Sequence, residues 1–159
     1  MSGGANGSIG AVSESEICIQ ERLYPESTCF GCGQANPDGL RIRSFDHGEG
    51  VIATFQPGPQ HTNGMGSLNG GIIATLLDCH SGAAVLSTAA EPTGELTQLW
   101  VTAGLELRYR LPTFLEMPVE LHAMISEQSE SAIWVKAKLS YDGKVRVQAE
   151  SRWAPIPRR

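Results

Sequence analysis

Asp78 stands alone. Between Glu49 and Glu91 it is the single formally charged residue, and no Lys or Arg occurs between Arg43 and Arg108. Eight positions before it, Asn69-Gly70-Gly71 ends a stretch rich in Gly and Asn that begins at His61. A carboxylate in apolar surroundings with no cation near in sequence must find hydrogen bonds, find a distant partner, or hold its proton. Desolvation raises its pKa toward the range where general-base chemistry works near neutral pH. The competing reading is an acid that only caps or bonds internally, but buried Asp is rare unless paired or used, which favours the functional reading. A second group with chemical capacity is Cys29-Phe30-Gly31-Cys32-Gly33. Half a zinc site, a redox pair and a tight glycine turn with two half-buried thiols all fit it. Zinc usually takes four ligands, and Cys18, Cys79 and the four histidines show no ligand spacing. No thioredoxin-like βαβ pattern surrounds the pair. The glycine turn carries most of the weight, and no metal is expected.

An element must hold Asp78, and the run from Gly70 to Leu86 reads as a helix. Asn69 is the expected N-cap, its side-chain oxygen accepting from free N–H groups of the first turn. Gly70 and Gly71 let a ligand approach the backbone closely. Ile72, Ile73, Leu76, Leu77, Cys79 and Ala83 to Leu86 are spread around the helix rather than along one stripe, as in a buried helix. It would be roughly 25 Å long.

The rest of the chain reads mainly as strands by period-two alternation. Leu40 and Ile42 alternate with Arg41 and Arg43. Val51, Ala53 and Phe55 form a second strand, ended by Pro57. After the helix come Val101 to Tyr109, Val119 to Ile125, Ile133 to Tyr141 and Val145 to Trp153, with Asp142-Gly143 as a hairpin turn signal. One long buried helix with strands alternating in this way implies an α+β layout, an antiparallel sheet with one face on a helix. Ile17 to Tyr24 can form a short helix ended by Pro25. Residues 1–16, small, polar and Gly/Ser-rich, read as a flexible tail, and 17–159 as a single domain.

Bulk properties exclude several classes. The 159 residues suit one domain with a real core. A net charge of −5 and a pI near 5.3 argue against a nucleic-acid partner. No uncharged apolar run of membrane-spanning length and no leader pattern occur, so no membrane partner and a cytoplasmic location are expected. Four cysteines are too few for a disulfide scaffold at this length.

The run His61…Asn63…Gly66…Asn69-Gly70-Gly71-x6-Asp78 resembles the signature of the phenylacetyl-CoA-type branch of the hotdog-fold acyl-CoA thioesterases. Leu105-Glu106-Leu107-Arg108-Tyr109-Arg110-Leu111-Pro112 is similar to that family's strand after the helix. Cys-Phe-Gly-Cys-Gly…Asn-Pro-x-Gly-Leu is similar to an opening found in one branch. The resemblance spans roughly Cys29 to Trp153. It implies a curved antiparallel sheet wrapped around one long central helix, and hydrolysis of an acyl-CoA to a carboxylic acid and CoA without a cofactor. By position, Asp78 takes the role of general base or nucleophile. The Gly70 N–H polarises the thioester carbonyl, as a helix N-terminus can. Asn63 orients water or carbonyl, and Thr102 holds the water. Asn69, Gly71 and His61 are substrate-binding candidates beside the motif. Arg108 and Arg110, on the face opposite Leu107 and Tyr109, are candidates for CoA phosphates, or equally a solvated outer face. The family builds its site from two chains, which implies a homodimer or a dimer of dimers. Asn69 departs from the family His: it can cap and donate but takes no proton at neutral pH. A non-catalytic acyl-CoA-binding protein is therefore the alternative. A hotdog hydratase would need a His paired with an acid, and no such motif lies beside the helix. His80, on a different helix face from Asp78, is expected at the dimer edge.

Overall fold

The computed structural model describes residues 16–157. The expected tail, apart from Glu16, lies outside the described residues. The chain forms α1 (Ile19–Leu23), β1 (Ser44–His47), β2 (Gly50–Phe55), a 3-10 turn (Pro59–His61), α2 (Gly70–Ala89), β3 (Trp100–Tyr109), β4 (Val119–Gln128), β5 (Ile133–Tyr141) and β6 (Lys144–Pro155). The six strands make one antiparallel sheet in the order β1-β2-β4-β5-β6-β3. This is the α+β arrangement expected: a sheet wrapped around one long helix.

The alternation in β4, β5 and β6 dictates which face meets α2. Val119, Leu121, Ala123, Ile133, Val135, Leu139, Val147 and Ala149 are buried, and they pack in one cluster with Ile73, Leu76, Leu77, Ala83 and Val85 of the helix. Intervening residues such as Lys136, Lys138 and Gln148 point outward. At Gly82 the helix comes so close to β6 that a Cβ would meet the Trp153 ring at 2.8 Å. β5 and β6 join through Asp142-Gly143, with φ of 50° and 70°, the paired left-handed values of a two-residue hairpin turn. By length and composition, α2 would also suit a membrane span. Its packing against the sheet accounts for that composition.

Two expectations need correction. Leu40–Arg43 is not a strand; the first strand starts at Ser44. Arg41 sits at φ 53°, which breaks extended backbone. Leu40 and Ile42 instead donate to the carbonyls of Phe30 (2.8 Å) and Gly31 (3.1 Å), so this segment straps the Cys29–Gly33 loop rather than the sheet. His80 is not at an edge but fully buried. Its Nε2 donates to the Val51 carbonyl (3.1 Å), which leaves Nδ1 to accept from the Ser44 hydroxyl (2.8 Å). Gln20 completes this network: its amide nitrogen donates to Ser44 Oγ and its oxygen accepts from Ser44 N. Burial pushes His80 down to about 3, so it is a neutral core histidine tying α2 to β1 and β2.

Candidate functional site

Asp78 lies midway along α2, half-buried, facing β3. Thr102 Oγ1 donates to its Oδ1 at 2.7 Å. Burial raises the Asp78 pKa, and the Thr102 hydrogen bond opposes part of that rise. The ion pairs among the described residues are Arg22–Asp46, Arg43–Glu21, Arg108–Glu106 and Lys136–Glu150, and none involves Asp78. The site thus holds a desolvated carboxylate, oriented by a hydroxyl and neutralised by no cation among the described residues. Such a group can take a proton from water or attack an electrophile. Thr102 is placed against this acid by β3, whose register on β6 slips between Thr102 and Gly104.

The start of α2 forms the second part. Asn69 caps the helix, its Oδ1 accepting from the N–H groups of Gly71 (2.8 Å) and Ile72 (3.2 Å). That cap does not take the Gly70 N–H, the first donor of the helix. Tyr109, which sequence reasoning did not single out, donates its hydroxyl to the Gly70 carbonyl at 2.6 Å and anchors this peptide to β3. The family-like strand ending was the signal for it; the partner was hidden because it lies 39 residues away.

The loop ahead of the helix is held by its own polar groups. Asn63 Oδ1 accepts from Met65 N (2.8 Å) and Ser67 N (3.1 Å), so only its NH2 is left to meet a ligand. His61 Nδ1 accepts from Gly58 N (2.9 Å), its ring packs 5.4 Å from that of Phe55, and its carbonyl accepts from Asn69 N. Burial lowers the His61 pKa. His61, Asn63, Asn69, Gly70 and Gly71 therefore gather at one end of α2, and Asp78 with Thr102 lies further along it. Eight helical steps separate Gly70 from Asp78, about 12 Å at the α-helical rise.

Arg108 and Arg110 are not brought to either group. They line a groove of about 520 Å³ on the outer face of the sheet with His122, Lys136 and Lys138. Arg108 bonds Glu106 (3.0 Å) and Arg110 Nε bonds Gln148 (3.2 Å).

One association was invisible in the spacing. Cys79, 50 positions from Cys29, comes within 3.8 Å of it, sulfur to sulfur, and Cys32 joins them. Hydrogen bonds from Cys79 and Cys29 bring Cys32 down to about 7, while its contact with Cys32 and burial push Cys79 up.

No family profile and no curated protein matches the chain. Solved structures do. A thioesterase superfamily protein from Shewanella loihica PV-4 is 31% identical, with a TM-score of 0.63 over 82% of this chain and 96% of that one. The PaaI protein of the E. coli phenylacetic acid degradation operon is 17% identical, with a TM-score of 0.64 over 74% of this chain and 81% of its own. A Bacillus halodurans protein solved with CoA is 24% identical, with a TM-score of 0.65 over 76% and 77%. These two share the fold. With the helix-wrapping sheet and the Shewanella likeness taken together, the chain belongs to the hotdog-fold thioesterase superfamily.

Proposed function

We propose that this protein hydrolyses acyl-CoA thioesters to a carboxylic acid and CoA. Asp78 accepts a proton from water as the oxygen adds to the thioester carbon. The Gly70 N–H of a second copy of the chain, at a helix N-terminus, stabilises the oxyanion. Collapse of that intermediate breaks the carbon–sulfur bond, and the proton held by Asp78 leaves with the CoA thiol. Direct attack by the carboxylate is the variant of the same site. Thr102 holds the carboxylate in either case, and Tyr109 holds the Gly70 peptide. The NH2 of Asn63 and of Asn69, with His61 and Gly71, are offered to the acyl group at the helix start. Arg108 and Arg110 are offered to CoA phosphates by the outer groove.

The observation that carries this reading is Asp78 itself: half-buried, bonded to Thr102, and without a cation partner among the described residues. The need for a second copy follows from length. A reacting carbon must sit about 3 Å from both the attacking group and the oxyanion donors. The Gly70 and Asp78 of one chain, about 12 Å apart along one helix, cannot both reach it. A homodimer, alone or paired with another, supplies the missing half. The CoA in the Bacillus halodurans relative supports the choice of thiol.

Asn69 favours a second reading, a protein that binds acyl-CoA without turnover, because its oxygen is committed to the cap and it has no proton to exchange. Thiol release from short, medium, long and aryl acyl-CoAs separates the two, with the protein's own cysteines in the blank. Release from at least one ester is expected. Tight binding with no release from any of them would establish the binder instead.

A further inference from the structure

The cluster that the hydrolytic reading leaves unused is Cys29, Cys32 and Cys79. All three are free, and their sulfurs lie within 4.8 Å of one another. In a tetrahedral thiolate site, metal–sulfur bonds of about 2.3 Å set the sulfurs about 3.8 Å apart. The Cys29–Cys79 pair stands at 3.8 Å already. With 4.8 Å as the outer limit, no pair has to close by more than about 1 Å, which side-chain rotation supplies.

The surroundings are built to hold these thiols together. A Cβ on Gly31 would come 2.3 Å from Cys79 Sγ and 2.9 Å from the Thr75 methyl, so only glycine lets the loop lie on α2 at this point. A Cβ on Gly33 would come 2.4 Å from Cys29 N. The Gly33 N–H donates to the Cys29 carbonyl at 2.8 Å, closing the turn that aims both loop cysteines at Cys79. The strap of Leu40 and Ile42 clamps the turn from its other side. Cys32 and Cys79 are buried and Cys29 is exposed, so the solvent side of the triangle is open to a fourth ligand.

We infer that Cys29, Cys32 and Cys79 bind a thiophilic divalent cation of the zinc class, with water in the fourth position. Soft thiolates select such ions over calcium or magnesium. Binding releases the three thiol protons and leaves a complex with a net charge of −1. The ion would tie the Cys29–Gly33 loop to α2 one residue past Asp78, as a staple and not as a participant in hydrolysis. Its presence does not depend on whether the protein turns over thioesters.

The test uses the full chain, purified under reducing conditions, freed of metal by chelation and titrated with cobalt(II). Visible bands of tetrahedral cobalt and a thiolate-to-cobalt charge-transfer band are expected, saturating at about one ion per chain. Zinc should bleach them. Cys29→Ser, at an exposed position that leaves the core intact, should weaken cobalt binding at least about 10-fold, while Cys18→Ser leaves it unchanged. Cobalt without these bands would overturn the inference. So would bands that survive Cys29→Ser, or an intact mass two hydrogens light from a disulfide within the trio.

Discussion

Thr102 donates to Asp78 across 2.7 Å, and that short contact fixes which carboxylate oxygen meets β3. Hydrogen bonds to a charged group contribute about 1.5–3 kcal/mol, part of which here orients the carboxylate. Thr102→Ala is therefore expected to lower kcat on the order of 10-fold with little change in KM, while Thr102→Ser retains most of it. Steady-state thiol release checks this, and an unchanged kcat in the alanine variant would remove Thr102 from the positioning of Asp78. At this scale, sequence reading was strongest where chemistry left a solitary mark. Asp78 was visible because no other charge lies near it, and Gly70 because glycine pairs follow a capping residue. Tyr109 and Cys79 were opaque, since each finds its partner across 39 and 50 residues of chain that only folding brings together. Asn63 was visible as a position, but its oxygen's commitment to Met65 and Ser67 was not.

Among the elements, α2 carries both Asp78 and the Gly70 N–H, so its start and its seat in the core matter most. Asn69 satisfies two first-turn donors. Loss of such a cap costs roughly 1 kcal/mol. Asn69→Ala should lower stability by about that amount in urea unfolding, and Asn69→Asp should not. Equal loss in both variants would show that the cap is not what the side chain supplies. His80 seats the middle of the helix and makes stability depend on pH. It titrates near 6.5 when unfolded and near 3 when folded. Its folded value is the lower one, so between these limits the unfolded chain binds the extra proton. The contribution is complete above pH 6.5 and is lost as pH falls, with a slope of up to about 1.4 kcal/mol per pH unit. The stability profile of His80→Gln should lack that added slope; superimposable slopes would mean that His80 is not held neutral. The helix was legible from its cap and its unbroken apolar run, and β2, β4, β5 and β6 from strict alternation. Leu40–Arg43 misled because alternation over four residues cannot reveal the positive φ of Arg41.

The whole molecule has an open side. β3 ends the sheet opposite β1 and pairs only with β6 among the described residues. Leu99, Val101, Tyr109 and Leu111 are large, apolar and exposed on it or beside it. Unpaired apolar edges invite pairing with another chain. Val101 is 45% exposed and adjoins Thr102, so Val101→Lys should weaken association of two copies without disturbing the core. Light scattering should then report monomers at concentrations where the unmodified protein is expected to be dimeric, with activity lost in parallel. A monomer that retains full activity would contradict a site shared between copies. Here the sequence offered least: Val101 and Leu105 alternate as if equally buried, and only the register slip of β3 on β6 between Thr102 and Gly104 turns Val101 outward and Leu105 inward.

Whether Asp78 performs the chemistry is decided by Asp78→Asn, because the volume is conserved and the fold with it. On whichever acyl-CoA the unmodified protein cleaves best, turnover measured by thiol release should fall on the order of 100-fold or more, with the same assembly by light scattering. Turnover unchanged by the substitution would contradict the account.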